Sequence, residues 1–211
     1  MLEFFNVKRL VGIAVLVGLI LGGCHWLSEN QYVNLPPKAG TTWVAFGDSL
    51  TAGFGAAEGH DYPTLLSERL GMKIINQGRP GDTSQDGLAR IDDVLKLDPR
   101  VVLLCFGGND SLQSLPKDQT IANVGAIIDR FVAHGSFVVL IGIRSASVRD
   151  KNESFFKKLG KEKKVLYVPN FLKGVLGDPG LMSDYVHPND AGYEFFAARL
   201  EKILQPYLPR L

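Results

Sequence analysis

The chain has 211 residues, of which 45% are hydrophobic and 21% charged, proportions that suit one globular domain with a sizeable core and a short appendage. Its 23 basic and 22 acidic residues nearly cancel, and with no basic stripe and only scattered aromatics, nucleic acid is not an expected partner. The two cysteines, Cys24 and Cys105, cannot form a disulfide framework and have no metal-ligand spacing.

Lys8 and Arg9 precede an apolar run from Leu10 to Leu21. The run is short for a membrane span, which needs about 20 residues, but it fits the apolar region of a secretory signal, with Glu3 an unusual acid there. It ends in Leu21-Gly22-Gly23-Cys24, which resembles the bacterial lipobox. That resemblance implies a leader over residues 1–23, its removal, and a lipid on Cys24 that anchors the chain to a membrane. An uncleaved anchor helix and a plain signal peptide are the alternatives, and all three place the rest of the chain outside the cytoplasm. Loss of the leader would bring the formal charge from +1 to 0. Residues 24–41, polar and containing Pro36-Pro37, read as a tether, which leaves 42–211 as the folded domain.

From Thr42 onward β-rich runs alternate with helical patterns. Thr42–Phe46, Met72–Ile75, Val101–Phe106, Phe137–Ile143 and Val165–Val168 are the expected strands. The third and fourth are nearly continuous in apolar residues, as buried parallel strands should be. Cys105 lies in the third run and reads as a small buried hydrophobe. Between the runs, Leu88, Ile91 and Leu95 share a helical face, as do Val124, Ile127, Ile128, Phe131 and Val132. Tyr193, Phe196, Ala197, Leu200 and Leu204 form another. Asn189 and Asp118 are placed to cap helices, and Gly135 to end one. Such alternation implies an α/β domain whose parallel sheet is covered on both faces, with function in the loops beyond the carboxyl ends of its strands.

Four short motifs lie in such loops. Gly47-Asp48-Ser49-Leu50 follows the first strand, and a serine on that turn can present its hydroxyl as a nucleophile if a base takes its proton. Asp184-Tyr185-Val186-His187 offers the base: a carboxylate three residues before a histidine can fix the ring tautomer. His60, beside Asp61, is a weaker alternative base. Gly81, in Gly78-Arg79-Pro80-Gly81-Asp82, has no Cβ, so its N–H can approach a developing oxyanion closely. A turn with a Thr83–Asp86 capping box is compatible with that role. Asn109, in Gly107-Gly108-Asn109-Asp110, adds an amide donor that does not titrate. Each motif alone reads equally as a turn or cap. Together they supply nucleophile, base, orienting acid and oxyanion donors, the parts of one acyl-transfer centre.

These blocks resemble those of the GDSL (SGNH) esterases, over roughly Thr42 to Leu208. Gly81 through Arg90, Tyr62-Pro63 and Ile143-Arg144 are similar to the bacterial acyl-CoA thioesterase I, lysophospholipase L1 and arylesterase subgroup. The resemblance implies a three-layer αβα flavodoxin-like fold with a five-stranded parallel sheet in the order 2-1-3-4-5. It implies a catalytic Ser49, His187 and Asp184, with an oxyanion hole from Ser49, Gly81 and Asn109, and hydrolysis of small ester or thioester substrates without metal or cofactor, by an expected monomer. Ser111-Leu112-Gln113-Ser114 and Ser145-Ala146-Ser147 depart from the subgroup pattern, which leaves acyl-length preference open. A carbohydrate O-acetylesterase on the same fold and a non-catalytic binding lipoprotein are the competing expectations.

Overall fold

A computed structural model describes residues 31–143 and 152–211. The leader, Cys24, Arg144 and Ser145–Ser147 lie outside the described residues.

Five parallel strands form one sheet: β1 (Thr42–Gly47), β2 (Ile74–Gly78), β3 (Pro99–Cys105), β4 (Phe137–Ile141) and β5 (Leu166–Val168), in the order β2-β1-β3-β4-β5. The expected order is therefore observed. β4 is buried along its whole length, and β1 and β3 nearly so, because helices cover both sides of the sheet. The helices are α1 (Ser49–Ala52), α2 (Tyr62–Leu70), α3 (Ser84–Ala89), α4 (Ile91–Leu95), α5 (Gly108–Leu112), α6 (Lys117–His134), α7 (Asn152–Glu162) and α8 (Asp190–Leu204).

Side chains alternate across a strand. Val44, Phe46, Val102, Leu104, Val138 and Leu140 pack with Ile91, Val94, Val124, Ile127, Ile128, Phe131, Phe156 and Leu159 of α4, α6 and α7. The opposite layer holds the α2–α8 pair and a group of buried rings, Tyr62, Phe171, Tyr193 and Phe196, in mutual contact. Burial of this size, at about 25 cal/mol per Å² of apolar surface, is the main force holding the sheet between its layers.

Local signals end the helices largely as the sequence suggests. Asn189 accepts from the Gly192 N–H at the start of α8, Thr83 and Asp86 form a reciprocal capping box on α3, and Gly135 ends α6 at φ 104°. Asp118 is not a cap: α6 begins one residue earlier, after Pro116, and no side chain caps it. Asp118 instead places an acid in the first turn, favourable to the helix dipole. The expected single helix through Leu88, Ile91 and Leu95 is two short ones broken at Arg90, whose backbone leaves helical geometry at ψ 10°.

β3 begins at Pro99 rather than Val101, β4 ends at Ile141 rather than Ile143, and one end each of β1, β3 and β5 shifts by one residue; two boundaries move further. β2 runs over Ile74–Gly78 rather than Met72–Ile75, since Asn76, Gln77 and Gly78 continue the pairing with β1. This is an edge strand, and polar residues are tolerated there. The ordered domain also begins before Thr42. The Val33 N–H bonds to the Lys164 carbonyl and the Lys38 N–H to that of Gly135. The Asn34 amide reaches the carbonyls of Val132 and Ser136, and Leu35 is buried. An apolar side chain and satisfied backbone groups dock residues 33–38 of the expected tether against the domain.

Candidate active site

β1 ends at Gly47, where a Cβ would lie 2.1 Å from the Thr51 hydroxyl and 2.5 Å from the Cys105 carbonyl oxygen. Only glycine lets the chain turn there directly into α1. Asp48 caps that helix by accepting the Leu50 N–H at 3.0 Å, and Ser49 occupies its first position. Asn76 on β2 braces the turn from below, its amide donating to the Thr51 carbonyl and to Asp61.

Asp184 and His187 occupy one loop immediately before α8, some distance in sequence beyond β5. The loop is pinched by a Met182–Pro188 bridge and by the Ser183 N–H donating to the His187 carbonyl at 2.9 Å. Asp184 Oδ1 accepts the N–H groups of Val186 and His187, both at 2.7 Å, and Oδ2 lies 2.8 Å from His187 Nδ1. Partial burial raises the Asp184 carboxyl, but the bonds from the imidazole and the two N–H groups outweigh it and hold the acid below its ordinary range. The other ring nitrogen, Nε2, lies 3.0 Å from Ser49 Oγ. Residues 138 positions apart are thus joined in one hydrogen-bonded line. The Phe54 ring sits 4.7 Å from the imidazole, and Gly55, at φ 95°, passes under it where a Cβ would meet the Ser183 hydroxyl at 2.2 Å.

His60, the alternative base, is not part of this line. Its Nδ1 lies 3.7 Å from Asp190, and the ring is half exposed.

The two other expected donors come from the loop after β2 and from the first turn of α5, the helix that follows β3. Gly81 adopts φ 88°, a left-handed backbone that favours glycine, and nothing lies within 4 Å of where its Cβ would be. Asn109 donates one amide hydrogen to the Asp82 carbonyl at 2.9 Å, leaving the second. Among the described residues, neither the Ser49 nor the Gly81 N–H has a protein acceptor. Asp48, Ser49, Asn109 and His187 form the polar end of a groove whose walls include Leu50, Leu112, Ile143, Leu172, Leu176 and Val186. Leu112 and Tyr185 stand exposed at its edge. A cavity of about 290 Å³ beyond Gly107, lined by Ser111, Lys117, Ile121 and Phe155, contains neither Ser49 nor His187.

Sequence reasoning missed the supports. Asp110 is buried and accepts from the Ser84 N–H and hydroxyl and from Thr120, tying the Asn109 loop to α3 and α6. Arg90, also buried, pairs with Asp82 and reaches the carbonyls of Gly47 and Gln77. Its visible signals are a charge placed between the apolar positions Leu88 and Ile91 and its place at the end of the Gly81–Arg90 block, neither of which points to these partners.

Residues 45–195 match the pattern of the GDSL-like lipase/acylhydrolase family. The chain is 36% identical over 177 residues to thioesterase 1/protease 1/lysophospholipase L1 of Escherichia coli, covering 80% of this chain and 85% of that protein. It is 31% identical over 183 residues to an arylesterase of Vibrio mimicus, covering 79% and 92%. Among solved structures, the crystal structure of TesA superposes with a TM-score of 0.73 at 29% identity, covering 79% of this chain and 99% of that one.

Proposed function

The chain belongs to the GDSL-like lipase/acylhydrolase family and is a carboxylic ester hydrolase, and from that premise we propose that Ser49, His187 and Asp184 form its catalytic triad. Ser49 Oγ attacks the ester or thioester carbonyl while His187 Nε2 takes its proton. Asp184, bonded to Nδ1, holds the ring in the tautomer that leaves Nε2 free to accept. The oxyanion is held by the N–H groups of Ser49 and Gly81 and by the free amide hydrogen of Asn109. His187 then protonates the departing alcohol or thiol, and water activated by the same ring releases the acid.

The observation that carries this reading is the 3.0 Å contact between Ser49 Oγ and His187 Nε2 at the mouth of an apolar groove. The groove walls favour an acyl or aryl group over a sugar, since each methylene placed there gains about 0.8 kcal/mol. A fluorophosphonate probe should label the wild type and not Ser49→Ala, and p-nitrophenyl esters of increasing chain length should be hydrolysed by the wild type alone. Hydrolysis by Ser49→Ala at the wild-type rate would end the triad proposal.

The lipobox-like Leu21-Gly22-Gly23-Cys24 supports a further reading: the enzyme is held in the cell envelope by a lipid on Cys24 and works on the side facing away from the cytoplasm. Radiolabelled palmitate should enter the wild type and not Cys24→Ala. Equal incorporation in both would remove the anchor.

A further inference from the structure

We propose that Arg90 is a positioning residue for ester hydrolysis, its ion pair with Asp82 holding the Gly81 and Asn109 donors in register with Ser49. The proposal rests on the functional reading above, in which those donors face the oxyanion.

Arg90 is 8% exposed, and its guanidinium touches the ends of two strands, β1 and β2, and the loop that follows β2. Nε donates to Asp82 Oδ2 at 2.7 Å. Nη2 donates to the Gly47 carbonyl and to the Gln77 carbonyl, each at 3.0 Å. Gly47 is the last residue of β1, two before Ser49. Gln77 lies near the end of β2, four before Gly81. The guanidinium carbon lies 4.5 Å from the centre of the Phe46 ring, which fixes the plane of the fork.

Asp82 carries the connection onward. Its backbone carbonyl accepts the Asn109 amide at 2.9 Å, and its N–H donates to the Arg79 carbonyl. The residue after Gly81 is therefore gripped by its carboxylate from the Arg90 side and by its carbonyl from the Asn109 side. Movement of Asp82 would shift the Gly81 N–H and the Asn109 amide together, and both relative to the end of β1.

Stability alone is a poor reason for this arrangement. A buried ion pair is often no better for stability than an apolar side chain of similar volume. One nitrogen, Nη1, is buried without a partner among the described residues, so the pair is not even fully satisfied. What the fork does supply is geometry: planar, multidentate contacts that a lysine ammonium cannot reproduce. Displaced donors lose most of their effect on a charge that forms only in the transition state.

The test uses the full chain with Arg90→Lys, Arg90→Met and Asp82→Asn, counting active sites by fluorophosphonate titration. With a p-nitrophenyl ester, Arg90→Met should lower kcat per titrated site by about ten- to a hundredfold, with KM changed less than about twofold. Arg90→Lys keeps the charge but not the fork and should recover only a small part of the loss. The decisive arm is Asn109→Ala combined with Arg90→Met. If Arg90 acts through the donors, the two losses are markedly less than multiplicative. Should both Arg90 variants fail to fold, Asp82→Asn, which keeps the shape and the backbone carbonyl, takes their place and must lower kcat and couple to Asn109→Ala in the same way. A wild-type kcat per site in the folded variants, or multiplicative losses in the double variant, overturns the proposal. Failure of the triad reading would look different: Ser49→Ala would retain hydrolysis.

Discussion

Asp48 precedes Ser49 and is the most tightly enclosed carboxyl at the site, so its removal should change how stability depends on pH. It is 1% exposed and accepts the Leu50 N–H at 3.0 Å. Burial pushes the carboxyl up from 3.8 to about 7; the bonds from the Leu50 N–H and from its own N–H oppose the rise, and the charges of Asp110 and Asp82 add to it. Arg90 makes no hydrogen bond to Asp48: its guanidinium donates to Asp82 and to the carbonyls of Gly47 and Gln77. Below the unfolded value both states hold the proton. Above it the unfolded chain releases the proton while the folded chain keeps it, and each pH unit then costs the fold about 1.4 kcal/mol. The loss levels off once pH passes the folded value. Between about pH 5 and pH 8 it amounts to roughly 2–3 kcal/mol. Asp48→Asn keeps an oxygen for the Leu50 N–H and cannot ionise. The stability of the variant minus that of the wild type should therefore become more favourable by roughly 2–3 kcal/mol across that interval, read from urea midpoints at matched pH. A difference that stays constant with pH would refute the reasoning. A difference that moves the other way would mean the carboxyl is ionised and paired in the folded state.

Three further outcomes follow from the same geometry. Asp184→Asn replaces the acceptor at His187 Nδ1 and favours the wrong tautomer, so kcat should fall by on the order of a thousandfold or more while fluorophosphonate still reacts slowly with Ser49. Gly55→Ala puts a Cβ at φ 95° and 2.2 Å from the Ser183 hydroxyl. It should lower kcat at least about tenfold by displacing the His187 loop, and a crystal structure of the variant should show the Ser49–His187 contact lengthened. Leu176→Trp fills the groove, and the ratio of octanoate to acetate hydrolysis for p-nitrophenyl esters should drop by about tenfold, with acetate hydrolysis little changed.

What the sequence discloses depends on whether the cause of a feature is carried by residue type. β1, β3 and β4 are legible because a parallel strand covered on both faces must be apolar throughout. β2 is misplaced because its last three residues are held by backbone pairing with β1, and pairing leaves no mark on composition. The Asp184–His187 link is legible because three positions in one tight turn are enough to bring carboxylate and ring together. Arg90 is not, since two of its three acceptors are carbonyl oxygens of Gly47 and Gln77, groups that every residue has. The docking of residues 33–38 was hidden for the same reason: Val33 and Lys38 are held by backbone bonds to Lys164 and Gly135, and two apolar side chains, Val33 and Leu35, are too few in a polar stretch to mark a docked segment.

The register of the sheet explains why distant motifs can meet. Gly47 is paired with Gly78 on one side and with Cys105 on the other, so β1, β2 and β3 end at one level and deliver their loops to one crevice. A Cβ on Gly78 would lie 2.1 Å from the Ala52 nitrogen, so the helix carrying Ser49 sits directly on the end of β2. His187 arrives differently, on a loop set by α8 rather than by a strand end. Here the first turns of α8 do the aligning. The Asp190 carboxylate accepts the Ala57 N–H at 2.8 Å, and the Tyr193 hydroxyl donates to the Phe54 carbonyl at 2.9 Å. Both acceptors and donors on the far side belong to the segment leaving α1, and Phe54 in turn covers the imidazole. The helix that follows His187 is thus bonded to the loop that follows Ser49. The short distance between hydroxyl and imidazole is set by contacts outside Ser49, His187 and Asp184, which is why no pair of motifs in the sequence could specify it.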